Sequence, residues 1–489
     1  MSNTKSSAAL QFGYDAVKAL AAELRLPLKA VITLSDDNDP YLADRPGRRL
    51  EGAQWFAALW SQLEIPNGVH LRRLHYLLVS TATIVLPNGR PYENTHGCWK
   101  CLGGASADAR FLDLVPAGAF VDRRAPEPIV YIPDDEGRDA AIGVCDDEPS
   151  INEENVPLLD YEPQSYTFPE LPDAVFTPPK LTEPYALEIW IEKSTVNDIL
   201  LPLARTRGVT LVTGVGELSI TACLALVRRV REHGRPTRIL YLSDFDPAGQ
   251  GMPTSVARKI QFFLDRDGDN LDIKLFPILL TAEQVAEFGL PRVPIKDSDR
   301  RRAGFEERHG EGAVELDALV ALHSGALEQI VTEAIERFWA PKRRAEREIT
   351  RLAANIQLHI REIREGVLDA HGDEIAELRA GFEQVQAEIA EQQAAISAAV
   401  AQCRRTVEAH QEAIDDRLEQ WREDAAPVWQ SIADEIEDGL PGLDEIEWPE
   451  PEEPIEDDAL FDSKRTYLEQ NDHYQRRKNG NAENAEAAE

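Results

Sequence analysis

Two short apolar runs in the middle of the chain end in carboxylates, the residue type that holds hard cations. Leu187-Glu188-Ile189-Trp190-Ile191-Glu192 alternates and stops at Glu192. Arg238-Ile239-Leu240-Tyr241-Leu242-Ser243-Asp244-Phe245-Asp246-Pro247-Ala248-Gly249 is a buried-strand pattern closing in DxDPxG. In an open α/β sheet the carboxyl ends of neighbouring parallel strands face one crevice, so Glu192, Asp244 and Asp246 are expected to converge there. Three carboxylates at one strand edge suit Mg2+, with Mn2+ as its substitute, because hard oxygen donors match a hard ion. A structural role competes for these acids. Asp246-Pro247 reads as an N-cap and N1 pair and Asp244 as a turn former, which accounts for one aspartate better than for two.

The elements that must position these acids follow an alternating rhythm. Strand 187–192 leads to a helix at 194–206, strand Val209–Thr213, the turn Gly214-Val215-Gly216 and a helix Leu218–His233. Strand 238–243 then leads to a helix Val256–Leu264 and strand Leu271–Leu280. Strands alternating with helices imply parallel βαβ units. Gly214-Val215-Gly216 resembles the start of a dinucleotide fingerprint, but Ser219 holds the third glycine position and no acid closes the next strand in the ribose-binding role, which disfavours NAD.

Upstream, Ala8 to Leu24 has helical spacing, Ala30–Leu34 is a short strand candidate, and Ala53–Leu63 is an apolar amphipathic helix. His70–Ser80 places Leu71, Leu74 and Leu78 on one face and Arg72, Arg73 and Tyr76 largely off it. A further helix starts after an Asn94-Thr95 cap and runs to Leu112; Phe120–Arg124 and Ile129–Ile132 are expected to form a small wing. Helix, loop, helix and wing is the layout of a winged helix-turn-helix. Lys100, Arg110, Arg123 and Arg124 would then contact phosphates, and the competing reading is an α-rich scaffold with a solvated charged face. Cys98 and Cys101 form CxxC, yet His96 and Cys145 complete no zinc spacing, so packing is the simpler role.

With 489 residues and 43% hydrophobic content, the chain has room for two or three domains with real cores. It contains no apolar run of membrane-spanning length and no signal-peptide pattern, and its five cysteines fit a reducing compartment. These features lead us to expect a cytoplasmic protein with no membrane partner, nucleoid-associated if it binds DNA. The formal charge of -35 argues against wholesale adhesion to nucleic acid, although the basic residues are clustered.

Residues 145–184 are acidic and proline-rich and read as a linker. Beyond 340, Leu378, Phe382, Val385, Ile389, Ile396, Val400, Cys403, Val407, Ile414 and Trp421 keep near-heptad spacing. That predicts a coiled coil, either a hairpin folding back at Gly372 or a dimer seam. After Pro427 the acidic, proline-bearing stretch Glu450–Glu456 (EPEEPIE) indicates a largely flexible tail, with Leu460–Arg477 as a docking segment. Such a tail would screen a basic DNA face, and its removal would tighten DNA binding. The expected division is an N-terminal region at 1–144, with a winged helix at about 55–135, and the linker at 145–184. An α/β domain at 185–340, a coiled coil at 341–426 and a tail at 427–489 follow.

Glu192 at a strand end, Gly214-Val215-Gly216, and Asp244-Phe245-Asp246-Pro247-Ala248-Gly249 together resemble a Toprim domain. The version is that of the topoisomerase VI A subunit and the related meiotic double-strand-break transesterase. Leu280–Val285, Gly289-Leu290-Pro291 and Val314–Leu319 are similar to later elements of that domain, and the match covers roughly the middle third of the chain. The resemblance implies a Rossmann-like Toprim core, a preceding winged helix carrying a nucleophilic tyrosine, and Mg2+-dependent cleavage of double-stranded DNA. Arg72-Arg73-Leu74-His75-Tyr76 is similar to the nucleophile's motif, which puts Tyr76 in that place. Asp244 and Asp246 would bind the metal, Glu192 would ligate it or act as general acid/base, and Arg72 or Arg73 would flank Tyr76 toward the DNA. A homodimer through the Toprim domain or the coiled coil is implied. No ATPase module is recognisable, so strand passage would need a separate ATPase partner. If Tyr76 is instead a core tyrosine, the same acids would activate water in a hydrolytic nuclease; a non-catalytic DNA-binding scaffold is the third reading.

Overall fold

A computed structural model describes residues 13–81, 83–120, 127–132, 137–145, 149, 163–214, 219–297, 299–400 and 404–486. The chain forms two compact units, one built from Met1–Asp134, Glu183–Ala340 and Glu453–Glu489, the other from Asp135–Thr182 and Pro341–Glu452. Its strands are β1 (Ala141–Cys145), β2 (Asp173–Thr177), β3 (Ala186–Ile191), β4 (Thr210–Thr213), β5 (Thr237–Leu242), β6 (Ile273–Leu279) and β7 (Phe461–Asp462). No helix among the described residues is long and apolar enough to cross a membrane.

The first unit is mixed α/β. Its sheet has the order β4-β3-β5-β6-β7, with β4, β3, β5 and β6 parallel and β7 antiparallel at the edge. Every residue of β3, β4 and β5 is buried, as expected for parallel strands covered on both faces. The two-residue period sorts the side chains. Trp190, Ile239 and Tyr241 pack under the helices Ile220–His233 and Met252–Asp267, while Ile189, Ile191, Leu240 and Leu242 pack on the other face with Asn197–Arg207 and Leu316–Leu322. Val215 and Gly216 of the glycine turn lie outside the described residues. Ser219, in the place of the fingerprint's third glycine, caps the helix Ile220–His233 by accepting from Ala222 N–H at 3.2 Å.

Helices Arg48–Gln62, Leu71–Ser80 and His96–Phe111 share a separate core around Phe56, Leu78 and Leu102. Thr95 caps the third, accepting from Cys98 N–H at 3.2 Å, and Cys98 is buried in that core. The expected wing strand 129–132 behaves differently. Ile129 exchanges backbone hydrogen bonds of 3.0 and 2.9 Å with Leu211, extending the edge of the main sheet beside β4. An unpaired β4 edge with buried neighbours is the stronger attractor for a β-prone segment than a free-standing wing. Residues 121–126 lie outside the described residues. Ala30–Leu34, expected as a strand, begins instead with the short 3-10 turn Leu28–Ala30.

The expected flexible tail is also ordered over much of its length. Phe461 is fully buried, and β7 pairs with β6. The helix Tyr467–Glu486 sets Tyr467 against the fully buried Arg258, whose guanidinium lies 4.3 Å from that ring and 4.1 Å from Tyr41. Apolar anchors at 460, 461 and 474 outweigh the segment's polar composition.

In the second unit β1 and β2 pair antiparallel, so the segment read as a linker supplies a strand. Its Phe168 packs against Phe382, Trp421 and Trp429. Helices Gly372–Val400 and Arg404–Gly439 form an antiparallel pair, with Gln392 bonded to His410, Glu388 to Arg417 and His371 to Glu435. The chain therefore reverses after Val400, not at Gly372, where backbone bonds His371 N–H to Val367 and Ile375 N–H to His371 carry the helix through. Phe382, Val385, Ile389 and Ile396 bury against Ile414, Leu418 and Trp421, so this part of the heptad stripe is satisfied within one chain. Pro427 sits inside the second helix and ends nothing. Cutting the chain there would remove the end of this helix together with β7 and the helix Tyr467–Glu486, so loss of structure, not tighter DNA binding, is the expected result.

Candidate metal centre

From β3 the chain turns to β4 on one side, and from β5 it turns to β6 on the other. The carboxyl ends of β3 and β5 therefore form the sheet's switch point, the crevice where ligands of open α/β folds bind. Glu192 directly follows β3 and Asp244 follows β5, and both are buried. One Glu192 oxygen accepts from Asp244 N–H at 3.1 Å. Asp246 is half-buried, and its Oδ1 accepts from Gly249 N–H at 2.5 Å, which shapes the DxDPxG turn. Gly249 is required there because a Cβ would collide with the Asp244 backbone.

The set of carboxylates that closes to ligand spacing is different from the one expected. Among the described residues, Asp244, Glu315 and Asp317 each offer an oxygen within 4.8 Å of the others, and Glu192 and Asp246 flank this group. Glu315 and Asp317 arrive because residues 313–316 run beside the DxD turn. Phe245 and Val314 exchange two backbone bonds of 2.9 Å, and Leu316 N–H donates to Asp244 Oδ1 at 2.7 Å. Lys193 Nζ sits among the three carboxylates, 2.7 Å from Asp244, 2.9 Å from Glu315 and 2.7 Å from Asp317.

The electrostatics follow from burial and crowding. Glu192 is pushed up to about 7, first by burial and then by the neighbouring Asp244 and Asp246 charges, with the Asp244 N–H opposing. Burial also raises Asp244, against the Leu316 N–H and Lys193. Burial works against the Lys193 charge, but hydrogen bonds to Asp244, Asp317 and Glu315 prevail and hold its proton more firmly than usual. A set of hard oxygen donors already neutralised in part by a stand-in ammonium fits a divalent ion such as Mg2+.

Of the other expected residues, Arg72, Arg73, Tyr76, Lys100 and Arg110 lie on the three-helix module. On Leu71–Ser80, Leu74, His75 and Leu78 are buried while Arg72, Arg73 and Tyr76 are exposed, Tyr76 at 54%. His75 fixes the helix inward through Tyr92 Oη at 2.7 Å and Asn94 Oδ1 at 3.1 Å. The exposed Tyr76 is thus no core residue. Lys100 is exposed. Arg110 is not: its Nε donates to Ser106 O at 3.1 Å, its guanidinium lies 5.2 Å from the Phe120 ring, and burial lowers it to about 10, so it packs inward and offers no phosphate contact. Arg123 and Arg124 lie outside the described residues. Lys193, Glu315 and Asp317 were missed as site residues. The available signal was Lys193 directly after Glu192 and the Glu315-Leu316-Asp317 alternation in a stretch that already carried the Toprim resemblance. Comparison of the chain with protein-family models and with characterised proteins finds no match.

Proposed function

We propose that this protein binds double-stranded DNA and cleaves it with Mg2+, or Mn2+ in its place, in the manner of a Toprim enzyme resembling the topoisomerase VI A subunit. The observation that carries this reading is the crowding of Asp244, Glu315 and Asp317 around Lys193 at the switch point, with Glu192 and Asp246 beside them. Asp244, Glu315 and Asp317 would hold the cation, which supplies charge stabilisation for the phosphate under attack. Tyr76, on the exposed face with Arg72 and Arg73, is the nucleophile. Its phenol gives up its proton to solvent water and its oxygen bonds to phosphorus as the bond from phosphorus to the 3′ oxygen breaks, and the neutral Glu192 carboxyl gives its proton to that leaving oxygen. Arg72, Arg73 and Lys100 hold phosphates, with Arg123 and Arg124 beside them in the sequence-based winged-helix reading. A homodimer through the α/β domain would place two such centres on one duplex, and strand passage would require a separate ATPase partner.

A second reading is hydrolysis without a covalent intermediate, in which Glu192, pushed up to about 7 by burial, serves as general base toward water instead of as acid. Supercoiled plasmid with Mg2+ or Mn2+ separates the readings. Tyrosine transfer predicts protein-linked ends, trapped by detergent before protease treatment, that disappear in Tyr76→Phe. Hydrolysis predicts free ends that persist in Tyr76→Phe and vanish in Asp244→Ala/Asp246→Ala. No metal-dependent cleavage by any form sinks both and leaves the DNA-binding scaffold.

A further inference from the structure

The Lys193 ammonium is positioned differently from a surface lysine in an ion pair. It follows Glu192 at the end of β3, its side chain is only 17% exposed, and it contacts one oxygen from each of Asp244, Glu315 and Asp317 at 2.7–2.9 Å. Those are the same three residues whose oxygens lie within 4.8 Å of one another. Direct ligation of Mg2+ requires oxygens at about 2.0–2.1 Å, so the carboxylates would have to close on the point the ammonium now fills. An ammonium and a bare divalent ion cannot share that point. The two cations also draw on the same charges, because Asp244 Oδ1 already accepts from both Lys193 and Leu316 N–H.

We propose that Lys193 is a resident cation that occupies the Asp244–Glu315–Asp317 centre and is displaced when a divalent ion binds, so that metal loading and release of the lysine are one event. This rests on the cation-site part of the proposed function and not on cleavage itself. Lys193 is then a positioning residue: it keeps three carboxylates together without metal, and sets how much free ion is needed to load the centre. The protein would trade metal affinity for a centre that stays assembled without metal.

The test uses the full chain, without DNA, with Mn2+ as the probe. Calorimetric titration should show Lys193→Met binding Mn2+ at least about tenfold more tightly than the wild type, while Lys193→Arg, which keeps the charge, binds no more tightly than the wild type. The added Asp317→Asn change should remove the gain. Acylation of Lys193 by an amine-reactive reagent, read by mass spectrometry on the unmodified wild-type chain, should accelerate several-fold when Mn2+ saturates the site; this arm does not depend on any variant folding. Equal or weaker Mn2+ binding by Lys193→Met, or Lys193 labelling that Mn2+ slows or leaves unchanged, overturns the proposal. A chain that passes these tests but cuts no plasmid would retain the displacement and lose the DNA-cleavage reading.

Discussion

At the amino end of β5 and β6, Arg238 pairs with Asp272 at 2.8 Å and with Glu456, Lys274 pairs with Glu456 and at 3.5 Å with Asp462, and Lys464 reaches Asp272 at 2.6 Å. At the carboxyl end of β3 and β5, Asp244, Glu315 and Asp317 gather around Lys193, with Glu192 and Asp246 beside them. The first group is balanced, and its acids behave accordingly. Burial would raise Asp272, but hydrogen bonds from Lys464 and Arg238 outweigh it and hold the carboxyl below its usual range. In the second, burial and mutual repulsion win at Glu192. Balanced charge of this kind fastens a sheet edge to the C-terminal segment. Unbalanced charge costs stability, and the cation of the proposed function would complete it, so the proposal assigns function to one end and architecture to the other.

Removing the acids is the most severe test of this contrast. Asp244→Asn/Asp246→Asn should reduce metal-dependent plasmid cleavage by about a thousandfold or more, on the scale of losing a preorganised charge stabiliser, while urea denaturation stays within about 1 kcal/mol of wild type. Arg238→Met should do the reverse. It takes one of two cations from each of Glu456 and Asp272, which keep Lys274 and Lys464, and should cost roughly 1.5–3 kcal/mol in urea unfolding, the scale of lost hydrogen bonds to charged groups. Equal stability losses from the two changes would erase the distinction between the ends.

The pH dependence of stability separates the two ends further. Glu192 moves from 4.5 to about 7 on folding, so the folded protein binds this proton more tightly than the unfolded chain. Its stabilising contribution is fully present below pH 4.5 and is lost as pH rises through 7. Glu192→Gln keeps an acceptor for Asp244 N–H and removes the charge. In metal-free buffer it should be more stable than wild type at about pH 8, by up to roughly 3 kcal/mol, with the gap closing toward about pH 4 in paired urea series. The smallest effect belongs to Ser219→Ala, which removes one helix cap and should cost about 1 kcal/mol by the same measurement, equally at both pH values.

Much of the first unit was legible because its signals are local. The runs ending at Glu192 and Asp244 are β-rich and uninterrupted, the intervening stretches have helical spacing, and the alternation forces parallel strands; the observed boundaries differ by a few residues. Tyr76, Arg72 and Arg73 fall on the exposed face for the same reason, since Leu74 and Leu78 define the buried one. Arg110 misled because charge alone suggests exposure, whereas the Phe120 ring and the Ser106 carbonyl give its guanidinium an inward site. The tail misled because composition averages over a window. Phe461 and Tyr467 are few in number, but each fills a prepared place beside β6 or Arg258.

The alternating α/β core, the two carboxylate-bearing strand ends and the apolar stripe of the long helices are written in the chain itself, because periodicity within a dozen or so residues is enough to specify which side of an element is buried. Which acids share a centre, where the helical hairpin reverses and what closes the sheet's outer edge emerge only on folding, because each depends on partners far apart in the chain. Leu316 N–H reaches Asp244 across 72 residues, carried there by the pairing of Phe245 with Val314. Ile273 N–H reaches Ser463 Oγ across 190, beside the pairing of Leu275 with Phe461. No local pattern encodes such contacts, since they form only when packing of the whole core has brought the two stretches together.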